Sequence, residues 1–145
     1  MTPKEAINIL KDLIKANVRV IPVEKHHGHF LLDVDGTPYY VIFTRRTLRR
    51  PRAIGINYDG EMIGINRLAL MKAINTFEAR SIVFLYFNGK SLEILTADPK
   101  EILYYVDIND TCRKMGFETI CHYPKAKLKL IKVVPKSESL MKFMD

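Results

Sequence analysis

Ala6, Ile7, Leu10, Leu13 and Ile14 recur at the three- and four-residue spacing of one helical face. Ahead of them, Thr2-Pro3-Lys4-Glu5 supplies a capping oxygen, a proline suited to the first turn and a glutamate at the capping-box position. A helix from this cap to Asn17 is predicted. The pattern then shortens to that of strands. Val18-Arg19-Val20-Ile21 is β-branched and stops at Pro22, and Phe30-Leu31-Leu32-Asp33-Val34 runs into the turn dipeptide Asp35-Gly36. Tyr39-Tyr40-Val41-Ile42-Phe43 is apolar on both faces, which predicts a central strand.

Beyond a loop at Asn57-Tyr58-Asp59-Gly60, Asn66 reads as the cap of a second helix carrying Leu68, Met71, Ile74 and Phe77. An apolar strand over 81–87 turns at Asn88-Gly89 into a partner over 92–95. Asp98-Pro99-Lys100-Glu101 repeats the capping chemistry of the N-terminus and starts a third helix, with Gly116 as its expected stop. Strands over 117–121 and 127–134 follow, and 135–145 reads as a loosely held tail or short helix. The order predicts one α/β domain over 1–134, a mixed β-sheet flanked by helices.

Composition adds little until charge is located. The net charge is +7, and residues 45–52 carry +5 and residues 125–145 carry +4, while 1–44 sum to zero and 53–124 to −2. Basicity confined to two blocks predicts a binding surface rather than general solubility. No stretch reaches the roughly 20 apolar residues of a membrane span, and the opening residues lack the pattern of a signal peptide. Cys112 and Cys121 are too few for a disulfide framework and read as small buried hydrophobes in a reducing interior. A cytoplasmic protein with no membrane partner is expected.

Arg45, Arg46, Arg49, Arg50 and Arg52 leave the end of the central strand together. The guanidinium fork matches phosphate oxygens and stacks on bases, so this block predicts contact with a nucleic-acid backbone, DNA in preference to RNA. Lys125, Lys127 and Lys129 alternate with Ala126, Leu128 and Leu130, which in a strand puts the lysines on one face. Lys132 and Lys136 extend that charge. The competing expectation is a solvated face paired by acids from elsewhere in the fold. A third is a protein-interaction subunit whose arginines meet an acidic partner. Tyr39, Tyr104 and Tyr105 suggest a homodimer surface.

The order of a helix bearing an acid, a meander with an aspartate on its second strand, a third strand ending in basic residues, then helix and strand resembles the restriction-endonuclease-like, PD-(D/E)xK nuclease superfamily. The resemblance covers residues 3–95 and rests on topology. It implies carboxylates holding Mg or Mn with a lysine beside them. Glu5 or Asp12 would then be the first acid, and Asp33 or Asp35 the meander aspartate. The next strand reads Ile42-Phe43-Thr44-Arg45-Arg46, with Phe43 where a glutamate belongs and Arg45 in place of lysine. Asp35 and Glu5 already have turn and capping roles, which leaves Asp33 as the catalytic and metal-binding candidate. The expected function is nucleic-acid binding on a nuclease-like scaffold without catalysis and without a cofactor; the alternative is a divergent metal-dependent nuclease.

A second candidate for metal is Glu24-Lys25-His26-His27-Gly28-His29. Neutral imidazoles bind zinc or copper, yet adjacent residues rarely reach one ion, and Cys121 and His122 would have to fold close to them. A polar hairpin loop is the simpler expectation.

Overall fold

The computed structural model describes residues 1–136. Thr2 accepts the Glu5 N–H at 3.1 Å, and helix α1 runs Pro3–Leu13, ending before Asn17 with Ile14 as its C-cap. Strands β1 (Val18–Pro22), β2 (His29–Val34) and β3 (Thr37–Thr44) form an antiparallel meander. The chain then crosses through β4 (Met62–Asn66) and α2 (Arg67–Met71, continued by a π turn over Lys72–Thr76). It returns as β5 (Ile82–Phe87), which pairs in parallel with β3. Next come β6 (Ser91–Ala97), α3 (Pro99–Ile108), β7 (Cys112–Met115), β8 (Glu118–Pro124) and β9 (Lys129–Pro135).

Two sheets result. The larger is mixed, in the order β1-β2-β3-β5-β6-β9, and the smaller is antiparallel, in the order β4-β8-β7. Strand β5 is buried along its whole length because both faces of the large sheet are covered. On one face, Ile7, Ile9 and Leu10 of α1 pack on Leu32, Val41, Val83 and Leu85. On the other, Ile42, Ile82 and Phe84 meet Leu70 of α2, Ile102 of α3 and Ile63 and Cys121 of the small sheet. The expected α/β class, a mixed sheet flanked by helices, is thus observed, and so is the central position of β3. No helix among the described residues is long and apolar enough to cross a membrane.

Several expectations need correction. The loop at 57–60 leads into β4, not directly into a helix; Asn66 closes that strand and its side chain then caps α2 by accepting the Ala69 N–H. Helix α3, capped by Asp98, ends at Ile108, and Gly116 instead turns the β7–β8 hairpin with φ +67°. A left-handed glycine serves either purpose, so its presence does not distinguish them. Cys112 and Cys121 are not separate thiols: they lie directly opposite in the β7–β8 pair and form a disulfide. Residues 125–127 form a 3-10 turn before β9, so the lysines of the second block do not alternate along one strand. Tyr39 and Tyr105 pack partly buried against the two cores, which leaves Tyr104 as the exposed tyrosine of the expected dimer surface. The expected tail beyond Lys136 lies outside the described residues.

Candidate nucleic-acid interface

The arginine block is a loop strung between the two sheets. At its start the Thr44 hydroxyl donates to the Arg46 carbonyl at 3.0 Å, folding the chain as it leaves β3. At its middle, Leu48 bridges Met62 of β4 through backbone hydrogen bonds of 2.7 and 2.9 Å. At its end, Pro51–Ile54 forms a 3-10 turn, capped by Gly55 with φ +77°. Arg113 of β7 then donates to the Ile54 and Gly55 carbonyls, each at 2.9 Å. Three anchors therefore fix a segment whose sequence shows only charge.

All five arginines are exposed, but their surroundings differ. Arg45 donates to the Met1 carbonyl at 2.6 and 3.2 Å and lies 5.3 Å from the centre of the Phe43 ring. Part of its donor set is thereby occupied. Arg52 forks onto Asp59 at 2.8 and 3.2 Å, so its charge is met internally, and the same contact holds the Asp59 carboxyl below its usual range. Arg46, Arg49 and Arg50 enter no ion pair among the described residues.

The second block divides as well. Lys125 sits 3.0 Å from Glu93 and 3.4 Å from Glu61. Burial alone would lower its pKa; the hydrogen bond and charge of Glu93, with Glu61, outweigh it and raise the value. Lys125, expected as a phosphate contact, is thus already paired with two carboxylates of the chain. Lys127 is exposed, 5.5 Å over the Tyr105 ring, and Lys129 is exposed on β9. Leu48, Met62 and Pro124 share one row of the small sheet, and both outer chains run antiparallel to β4. Arg49 and Arg50 thus leave the sheet at the same end as Lys125, across a row about 10 Å wide. The two basic blocks meet there, with Glu61 between them.

Asp33 does not join this group. It lies at the hairpin end of β2, opposite Pro38, and its Oδ1 accepts the Gly36 N–H at 2.7 Å. The arginine loop leaves from the other end of the hairpin, beside His29, about 13 Å along the strand at β rise. The aspartate that seemed to lack a structural role is a turn cap. Asp35 likewise accepts the Asn17 N–H at 3.2 Å.

Beneath the arginine loop, the open end of β2–β3 and one face of the small sheet enclose a cleft of about 640 Å³. Arg46, Thr47, His26, His29 and His122 all reach it. The histidine segment and His122 do come together; one nitrogen each of His26 and His29 is engaged, whereas both ring nitrogens of His122 lack a partner. The His26 and His29 rings stack 5.2 Å apart, Lys72 Nζ donates to His26 Nε2 at 3.4 Å, and His29 Nδ1 is hydrogen-bonded to the Tyr40 hydroxyl at 2.8 Å. Burial, reinforced by His26, His27 and Lys72, brings the His29 pKa down to about 4. Burial first, then Arg113, also lowers that of His122. No group of three or more His, Cys, Asp or Glu able to hold a metal ion occurs among the described residues.

Neither Thr47 nor Arg113 stood out in the sequence. Thr47 is hidden among arginines, and Arg113 lies in a strand whose existence depends on pairing with β8. No family model, curated protein or solved structure matches the chain.

Proposed function

We propose that the chain is a nucleic-acid-binding protein that holds the phosphate backbone through the arginine loop and does not cleave the strand. One observation carries this reading: Arg46, Arg49 and Arg50 are exposed and without ion pairs among the described residues, on a loop pinned at three points. Three like-charged guanidinium groups carried on one short loop repel one another in water, and an anionic polymer relieves that repulsion. Arg45 adds a fourth cation, and Lys127 and Lys129 extend the footprint. Arg52 and Lys125 are left out because Asp59 and Glu93 already neutralise them.

The order of helix, meander, helix and a strand parallel to β3 supports a nuclease-like scaffold. The turn-capping role of Asp33 and the side chain of Phe43 weigh against its chemistry. The test is incubation with labelled duplex, branched and single-stranded DNA, with and without magnesium or manganese. A mobility shift without new fragments is expected. Cleavage that disappears in Asp33→Asn would replace this reading with the nuclease one, and retention by an acidic protein with no shift of any nucleic acid would replace it with the interaction subunit.

A further inference from the structure

The cleft beneath the loop is lined by two residues, His122 and Thr47, whose buried polar side-chain atoms the chain itself leaves unsatisfied. His122 is only 5% exposed, and neither of its ring nitrogens has a hydrogen-bond partner; the buried Thr47 hydroxyl also has none. Orphaned groups of this kind are uncommon in folded proteins, because burial removes their water without supplying another partner. Both residues line the cleft. Gly64, paired with His122 across β4 and β8, lines it too, and a Cβ there would stand 3.0 Å from Ile120 Cγ2 and 3.6 Å from His122 Nδ1. The backbone of Gly64 does not have a positive φ, so the missing side chain serves space rather than conformation.

The chemistry of the floor narrows the ligand. A neutral imidazole has one N–H donor and one bare acceptor, and a hydroxyl offers both roles. Phosphate oxygens supply only acceptors and would leave the bare nitrogen unmet. The edge of a nucleobase alternates donors and acceptors and satisfies both. Ile42, Leu48 and Ile120 give the cleft apolar walls against which a flat ring can lie. Arg46 and Lys25, both exposed, line it and offer a phosphate two cations, and Glu118, also lining the cleft, suits a hydroxyl or amino donor. The volume is in the range of small-ligand sites.

We propose that this cleft binds one unpaired nucleotide, with the base edge on His122 and Thr47 and the phosphate on Arg46 and Lys25. The phosphate half rests on the reading of Arg46 given above; the base half stands apart from it. The nucleotide is either a free monophosphate or the unpaired end of a strand.

The test uses the full chain, labelled with ¹⁵N, titrated with nucleoside monophosphates, with ribose 5-phosphate, and with blunt and single-overhang duplexes. Thr47→Val and His122→Phe are measured beside it; Thr47→Val, nearly isosteric, keeps the test decisive if the phenylalanine does not fold. Monophosphates are expected to shift the Gly64 and His122 amides and to bind at least about tenfold more tightly than ribose 5-phosphate. Each substitution is expected to weaken monophosphate binding about tenfold, the loss of one buried hydrogen bond, while blunt-duplex affinity stays unchanged. An overhang that tightens duplex binding identifies a strand end as the source, and equal duplexes identify the free nucleotide. No monophosphate binding up to about 10 mM, parity with ribose 5-phosphate, or variants that bind like the parent would each overturn the inference. Monophosphate binding without any duplex binding would sustain it and remove the backbone reading.

Discussion

Arg52 and Arg49 are three positions apart, yet only Arg52 has a carboxylate against it. That pair is well exposed, at 61% and 84% for the two side chains, so it contributes little to stability. It does occupy the fork that a phosphate would need. Asp59→Asn should therefore add about one phosphate contact, steepening the salt dependence of duplex binding by about 0.9 in log–log slope, with thermal stability nearly unchanged. Arg52→Ala should leave both properties close to the parent. At the cleft, His29 has its pKa brought down to about 4 from an ordinary 6.5, chiefly by burial. Between those values the unfolded chain binds more protons than the folded one. Stability should then fall as pH drops from 6.5 toward 4 and be insensitive to this group above 6.5. Urea midpoints measured across that window should decline less in His29→Phe, which keeps a ring against His26.

Among the elements, those closed by local chemistry were legible in the sequence. Thr2 and Asp98 cap α1 and α3 as their side chains predicted, and Asp98→Ala should cost about 1 kcal/mol in chemical denaturation. The Asp35-Gly36 turn joins β2 to β3, and the two-sided apolar pattern of β3 reflects cores on both of its faces. Strands β4 and β7 were not legible. Met62–Asn66 is short, contains Gly64 and merges with the cap of α2, while Cys112–Met115 is short and polar. Each is a strand because β8 offers it a ladder, a tertiary cause with no local signature. The disulfide was hidden for the same reason, since the two cysteines face each other only once β7 and β8 pair. It closes a short loop, a sequence separation of 9, so reduction should lower stability by about 2–3 kcal/mol in denaturation with and without a thiol reductant.

Across the whole molecule, the two basic blocks seen in the sequence do gather at one end of the small sheet, but they are not two equal halves of a footprint. Acids from the intervening segment reach both: Asp59 takes Arg52, and Glu61 with Glu93 takes Lys125. Charge counting along the chain could not reveal this, because the acids approach through the loop before β4 and through β6. The consequence separates stability from binding. Lys125→Ala should leave Glu93, only 16% exposed, without its cation and cost about 2 kcal/mol, with little effect on nucleic-acid affinity. The arginine loop should behave in the opposite way.

The most direct measurement is the affinity for a blunt DNA duplex over a series of salt concentrations, for the parent and for the combined Arg46→Ala, Arg49→Ala, Arg50→Ala variant. Six phosphate contacts from Arg45, Arg46, Arg49, Arg50, Lys127 and Lys129 correspond to a log–log slope of about −5.4, falling to about −2.7 in the variant with its melting temperature unchanged. A parent slope near zero, or a variant that binds as tightly as the parent, would contradict the account.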